Sequence, residues 1–395
     1  MPRISPFQGL VYDVAVTGPL DRVTAPPYDV ISGAGRDRYL TGSPFSIVHL
    51  DLAEGSDDPG DPENRYVRAG RLLNGWESQG ALVRSPIPSY YAYEMAFQRE
   101  GTLARIRGLL VGMDLEPWGG RVLPHERTMP GPIRDRLRLL RSTKTHLSPI
   151  YGVVSGPVRE LEEVLDSSTQ APAPFEALDE QGVAHRMWPV AAEPGIADAL
   201  AAAPLLVADG HHRYTTALDY RDERHAVDGP GPWDRVLTLI VDAGAGSLPV
   251  LPFHRLQTAG APPRSGTPAT DLPTALAAVS DDHAVVATVT LEHGDLTYRT
   301  IQLAGEPPAV QALHASLLDG RIPASALRFV PDAELAAAAV RDGDAVAAYL
   351  LPPTTTERIR KVVELGSRLP QKSTYFWPKP RTGMVLMPLD PAPVD

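Results

Sequence analysis

The sequence predicts a mixed α/β fold, and three observations lead there. Apolar runs of strand length alternate with segments of helical spacing along most of the chain. The run Leu205-Leu206-Val207-Ala208 is stopped by Asp209-Gly210, after which Tyr214, Ala217, Leu218 and Arg221 fall on neighbouring helical turns. A strongly β-prone run, residues 235–241, follows soon after.

From the N-terminus, residues 24–32 carry two prolines before Tyr28-Asp29 and read as a rigid extended lead-in to a turn. Residues 46–50 read as a strand, and 51–62 as an acidic loop with Gly and Pro. Residues 62–79 read as a helix with Tyr66, Ala69, Leu72, Leu73 and Trp76 on one stripe. The aromatic alternation at 89–95 predicts a strand, with 105–114 as its partner. Residues 116–132 are punctuated by Pro and Gly and read as a loop. Residues 134–142 form a basic helix with Arg134, Arg138 and Arg141 on one face and Arg136 off it. That stripe reads as a solvated face, with a phosphorylated ligand or carboxylates such as Asp135 as the alternative counter-charges.

Strands are expected at 148–154 and 182–188, and helices at 157–165 and 193–203. Residues 260–271, rich in Pro, Gly, Ser and Thr, read as a linker. Beyond it lie a helix at 272–279, strands at 284–291 and 295–303, and helices near 309–318, 332–341 and 355–365. No internal repeat is present.

Composition narrows the function classes. The chain of 395 residues holds no cysteine, which excludes disulfides, zinc–thiolate sites, iron–sulfur clusters and cysteine nucleophiles. Its net charge of -11 argues against nucleic acid as a partner. No run of about 18 apolar residues marks a membrane span, and the N-terminus lacks the apolar core of a signal peptide, so a cytoplasmic location is expected. There are 37 Lys and Arg but only four lysines, Lys144, Lys361, Lys372 and Lys379, so each lysine is informative.

Four clusters can carry chemistry. The first is Asp209-Gly210-His211-His212-Arg213. A strand, a glycine turn and a helix start aim backbone N–H groups and the positive end of the helix dipole at one point, which favours an anion. His211, His212 and Arg213 add donors suited to phosphate oxygens. Asp209 stands at the carboxyl end of the strand, where open α/β sheets hold ligands. An ordinary turn with Asp209 capping the helix is the plain alternative.

The second cluster is His125-Glu126-Arg127-Thr128, in which Glu126 can serve as a general base and His125 as its partner or a phosphate ligand. It is not the zinc-protease pattern, because Met129 stands where a second histidine is required. The third is Pro252-Phe253-His254-Arg255, whose charges need a partner if buried. The fourth is residues 370–380, with Lys372, Lys379, Ser373, Thr374 and three adjacent aromatics between prolines, suited to phosphate binding and a pocket wall or to packing on the core. Neither the P-loop nor the dinucleotide glycine fingerprint occurs.

Taken together, Ala-Pro-Pro-Tyr-Asp-Val-Ile-Ser at 25–32, His-Glu-Arg-Thr at 125–128, Ala-Asp-Gly-His-His-Arg at 208–213, Pro-Phe-His-Arg at 252–255 and Lys-Ser-Thr-Tyr-Phe-Trp-Pro-Lys at 372–379 resemble the bacterial domain-of-unknown-function family 1015 in the same order. The 209–213 loop also resembles the phosphate loop of the ParB/sulfiredoxin superfamily. That likeness implies a ParB/sulfiredoxin-like core with large N- and C-terminal elaborations. Sulfiredoxin chemistry needs a cysteine where His211 stands, and a partition-type DNA clamp needs a basic face.

The resemblance then implies a small-molecule kinase acting on a hydroxyl, with free L-serine as acceptor, ATP, ADP or pyrophosphate as donor, and Mg²⁺. In that reading Gly210, His211, His212 and Arg213 hold the phosphoryl group, with His125, His254 and Lys372 as further phosphate contacts. Glu126 is the preferred base, with Asp209 as the other candidate or as a metal ligand. Tyr28, Asp29, Thr128, Ser373, Thr374 and Tyr375 would contact substrate. The expected division is an N-terminal part at 1–90, a central phosphate-binding part at 91–259 and a C-terminal part at 260–395 that returns the Lys/aromatic loop to the site. A non-catalytic phosphate- or nucleotide-binding regulator and a phosphoester hydrolase are the alternatives, and a homodimer is left open.

Overall fold

The structure is a computed structural model that describes residues 1–395 except 100, 155, 193, 194, 202, 243–247, 306, 307 and 391–395. The fold is mixed α/β with several sheets. The chain forms two compact units: Met1–Pro124, Thr128–Ser247 and Pro378–Asp395 make the first, and His125–Arg127 with Leu248–Trp377 the second. The boundaries expected at 90 and 259 coincide with neither unit.

The first unit is built on a nine-stranded mixed sheet. Its order runs Val122–Pro124, Leu205–Asp209, Ile150–Val154, Arg235–Asp242, Thr102–Asp114, Tyr90–Arg99, Ala184–Val190 and Phe175–Leu178, with Ile4–Ser5 also paired to Thr102–Asp114. Leu205–Asp209 runs parallel to Val122–Pro124 and antiparallel to Ile150–Val154, so the motif strand is internal to the sheet. Burial on both faces explains why it reads as a continuous apolar run rather than an alternating one. The helix His211–Asp228 buries Tyr214, Ala217 and Tyr220. Tyr214 and Ala217 join Leu205, Val207, Ile150 and Ile240 in one core.

The second unit holds a six-stranded antiparallel sheet in the order Thr267–Ala269, Asp295–Gln302, Val285–Glu292, Ala347–Leu350, His254–Gln257 and Leu327–Val330. Its core is rich in alanine, with Ala275, Ala287, Ala336, Ala337 and Ala348 beside Leu256, Val289, Val340 and Leu350.

Several expectations are corrected. Residues 46–50 are not a strand; Val48–Asp51 is a short helix, because a brief apolar run is equally suited to a buried helical turn. The 116–132 loop contains the strand Val122–Pro124, and the helix after it starts at Pro130. The 260–271 linker contains Thr267–Ala269, paired to the sheet. The helix expected at 193–203 is seen as Ile196–Ala201, and residues 193, 194 and 202 lie outside the described residues. No helix among the described residues is long and apolar enough to cross a membrane.

Each unit buries a neutral histidine. His146 of the first and His254 of the second are both pushed down to about 4 by burial. The unfolded chain takes up these protons near pH 6.5, whereas the folded chain refuses them until about pH 4. This stability is therefore complete above pH 6.5 and is lost as the pH falls toward 4, by on the order of 3 kcal/mol per histidine. Urea unfolding should show midpoints that drop steadily from pH 7 to pH 4.5. A flat profile would contradict the burial argument.

Candidate functional site

The strand–turn–helix junction of the first unit is formed as the sequence requires. Gly210 adopts φ 100°, a left-handed conformation, and caps the helix His211–Asp228. A Cβ at this position would lie 3.0 Å from Ile150 Cδ1 and 3.2 Å from Arg213 Nη2. The glycine is thus required by both backbone and space. The chain turns at once from sheet to helix, and the helix N-terminus faces the carboxyl end of the strand.

Two cations converge on Asp209. Arg213 Nη2 donates to Asp209 Oδ2 at 2.5 Å, while the Lys379 ammonium donates to Oδ1. Lys379 also stands 3.6 Å from Asp29 Oδ2, and its side chain is 6% exposed. Arg213 Nη1 donates to Ser148 Oγ at 2.9 Å and to the Pro149 carbonyl. One lysine therefore bridges the carboxylates of two separate motifs, residues 25–32 and 208–213.

The two histidines have different settings. His211 is 6% exposed, and its ring stacks on Trp118 with centroids 5.9 Å apart at 19°. Trp118 also packs on Tyr214 and donates to Thr215 Oγ1 at 3.2 Å. His212 Nε2 accepts the Met129 N–H at 3.0 Å, so its proton sits on Nδ1. Thr128, just before Met129, is half-buried in the loop ahead of the basic helix.

Tyr28 belongs to the same unit. Arg136 stacks over its ring, 4.2 Å from the centroid. Burial pushes the Tyr28 phenol up to about 12, so it is a neutral hydroxyl at pH 7. Arg136 is buried and pairs with Asp51 and Asp135, each at 2.6 Å. The arginine set apart from the exposed stripe is thus the buried one. Of the stripe itself, Arg141 meets Glu223 and Arg138 meets the Asp57 carbonyl.

The remaining expected residues lie in the second unit, where they hold one loop. Glu126 Oε2 accepts the Lys372 N–H at 3.2 Å; Oε1 accepts the N–H groups of Ser373 at 3.0 Å and Thr374 at 3.3 Å, and the Thr374 hydroxyl at 3.2 Å. From the opposite side, fully buried Arg255 donates to the carbonyls of Lys372, Gln371 and Phe253 and, through Nε, to His314 Nε2. A carboxylate takes the loop's amides and a guanidinium takes its carbonyls. Lys372 itself has φ 54°, and its ammonium lies 5.1 Å from the Phe253 ring centroid.

Two of the expected phosphate contacts, His125 and His254, are buried. His125 is wholly buried, with Nε2 at 2.7 Å from Thr374 Oγ1. His254 is buried and neutral at pH 7, and its Nδ1 accepts the Leu351 N–H at 3.1 Å. His254 is therefore not presented to a ligand as a cation. Ser373 Oγ donates to the Pro370 carbonyl, and Tyr375 pairs with Leu251 and packs on Phe253.

Glu126→Gln should therefore lower stability, because one amide oxygen cannot replace two carboxylate oxygens facing three N–H groups. The expected loss is about 1–3 kcal/mol in a urea titration. An unchanged midpoint would show that the loop does not depend on this carboxylate.

Magnesium does not fit at Asp209 as arranged, because both of its oxygens already face cations. Among the described residues no group of three or more His, Asp or Glu is placed to hold a metal ion.

The family model described as "Protein of unknown function (DUF1015)" matches residues 4–285. The chain belongs to the DUF1015 family. No curated protein matches it. Among solved structures it is similar to a free serine kinase in complex with AMP, with 12% identity over 65% of this chain and 83% of that chain and a TM-score of 0.35. A conserved hypothetical protein from Pyrococcus furiosus gives 13% identity, 65% and 86% coverage and a TM-score of 0.35. C-terminally truncated SbnI from Staphylococcus aureus gives 12% identity, 69% and 85% coverage and a TM-score of 0.36.

In this DUF1015 member, sequence reasoning named Lys379 only as one of two lysines in the 370–380 cluster and gave Asp51 no role. Lys379 was signalled by its rarity, as one of four lysines in a motif. Asp51 was signalled only as a lone carboxylate closing an apolar run.

Proposed function

We propose that this chain is a small-molecule kinase, transferring a phosphoryl group from a nucleotide or pyrophosphate to the hydroxyl of a small metabolite, with free L-serine as the acceptor to test first. The observation that carries the reading is the helix start at Gly210–His211 with Arg213 and Lys379 converging beside it. Phosphoryl transfer needs positioning and neutralisation of charge more than covalent chemistry, and this junction offers both. The first-turn N–H groups and the helix dipole receive the phosphoryl oxygens, and the two cations offset the charge that builds on them.

In the step itself the acceptor oxygen forms a bond to phosphorus, and the bond from phosphorus to the donor's bridging oxygen breaks. The products are the phosphomonoester and ADP, AMP or inorganic phosphate, according to the donor. The acceptor's proton passes to a carboxylate. Arg213 and Lys379 hold both oxygens of Asp209. Asp29, 3.6 Å from the same lysine, is the better placed carboxylate of this unit. Glu126, the base preferred on sequence grounds, spends its oxygens on the 372–374 loop. No step is assigned to a metal held by the protein.

Phosphorus NMR of the purified protein with L-serine and the magnesium complex of ATP, ADP or pyrophosphate in turn tests the reading. The expected result is a phosphomonoester resonance that appears only with acceptor and donor together. Inorganic phosphate released without acceptor would instead make the protein a phosphoester hydrolase. A donor left unconsumed would make it a binding protein without turnover.

A further inference from the structure

Next to the helix start, within the first unit, lies a cavity of about 50 Å³ lined in part by Asp51, Arg136, His146, Ser148, Arg213 and Thr216. Arg213 and Ser148 join it to the Asp209 junction. A single water needs about 10–15 Å³ of such volume, so the cavity takes about three to five groups of that size. That is room for the head of a small metabolite and not for a nucleotide.

The charges around it are unevenly satisfied. Asp51 is 5% exposed; its Oδ1 and backbone carbonyl accept from Arg136, but Oδ2 has no hydrogen-bond partner. A buried carboxylate oxygen left without a donor is costly, and since Asp51 lines the cavity, a donor seated there can approach its carboxylate. His146 is neutral at pH 7. The lining therefore presents one carboxylate short of a donor and two guanidinium groups. A bare phosphate would face the Asp51 carboxylate, and a bare cation would face Arg136 and Arg213. A zwitterion answers both signs.

We propose that this cavity binds the head of a small amino-bearing hydroxyl compound, with Asp51 Oδ2 accepting an N–H from its primary ammonium and Arg213 facing its negative end. Asp51 is then the residue that selects the acceptor, admitting amino acids and excluding their hydroxy-acid analogues. The inference rests on the kinase reading only in naming the ligand an acceptor; the binding itself does not.

Calorimetry on the full chain without nucleotide tests it, with L-serine and L-glycerate as probes, since these share one configuration and differ by ammonium against hydroxyl. L-serine should bind the wild-type chain, and Asp51→Asn should weaken it by about tenfold to a hundredfold. L-glycerate should bind the wild-type chain more weakly by a similar factor. Should near-ultraviolet circular dichroism show that Asp51→Asn fails to fold, Thr216→Leu fills the cavity without touching the Asp51–Arg136 pair and should abolish L-serine binding. Equal binding of the two probes, no L-serine binding by the wild-type chain, or undiminished binding by a folded variant overturns the inference. L-serine binding that depends on Asp51 with no phosphoryl transfer would refute the kinase reading and leave this one standing. Transfer to an acceptor without an amine would do the reverse.

Discussion

Lys379→Met should reduce phosphoryl transfer by about a hundredfold to a thousandfold, the range seen when one preorganised donor to a developing negative charge is removed. Lys379 is nearly buried and faces Asp209 and Asp29 together. Methionine keeps the length of the side chain and removes the charge, so Asp209 retains Arg213 alone while Asp29 loses a nearby cation. Two carboxylates without their shared cation repel each other and a phosphoryl group alike. Lys379→Arg restores charge in a different shape and should recover part of the rate. The pair of variants, assayed for turnover with folding checked by thermal melting, separates charge from packing. Turnover untouched in a folded Lys379→Met chain would remove the lysine from the chemistry.

Arg136→Leu should destabilise the first unit by about 3–5 kcal/mol, because breaking a buried ion pair from one side leaves the other charge uncompensated. Asp51 is the charge left behind. Burial already raises its carboxyl above the usual range, and the guanidinium of Arg136 is the largest influence holding it down. The same change removes the stacking on Tyr28 and the pairing with Asp135. Replacing both partners, Arg136→Leu with Asp51→Leu, should recover much of the loss, since no buried carboxylate then remains at 51. Urea titrations of the wild-type chain and the three variants give the comparison. A double variant no more stable than Arg136→Leu alone would show that the loss comes from packing rather than charge.

The junction at 205–213 was legible in the sequence because every signal in it is local. The apolar run, the glycine and the helical spacing lie within one short stretch, and the structure forms them at nearly the same residues. Arg136 was set apart from the exposed stripe but given no partner, because a helical wheel reports which residues share a face, not which face is buried. Its burial is set by Asp51 on another helix, 85 positions away. Glu126 met its partners 246 to 248 positions along the chain. Nothing in a Pro/Gly-rich stretch tells a catalytic carboxylate from one that pins a distant loop. Lys372 was chosen over Lys379 because both stand in one motif. Spacing could not show that Lys379 is the one that reaches Asp209.

The proposed function requires the helix start at 210–213 to bind phosphate. Its most direct test is to follow the backbone amide resonances of residues 210–214 in ¹H–¹⁵N spectra while pyrophosphate and then ADP are titrated in. Saturable shifts concentrated at Gly210, His211, His212 and Arg213, and smaller in Lys379→Met, are expected. Amides at 210–213 that stay in place while pyrophosphate and ADP leave the whole spectrum unchanged would contradict it.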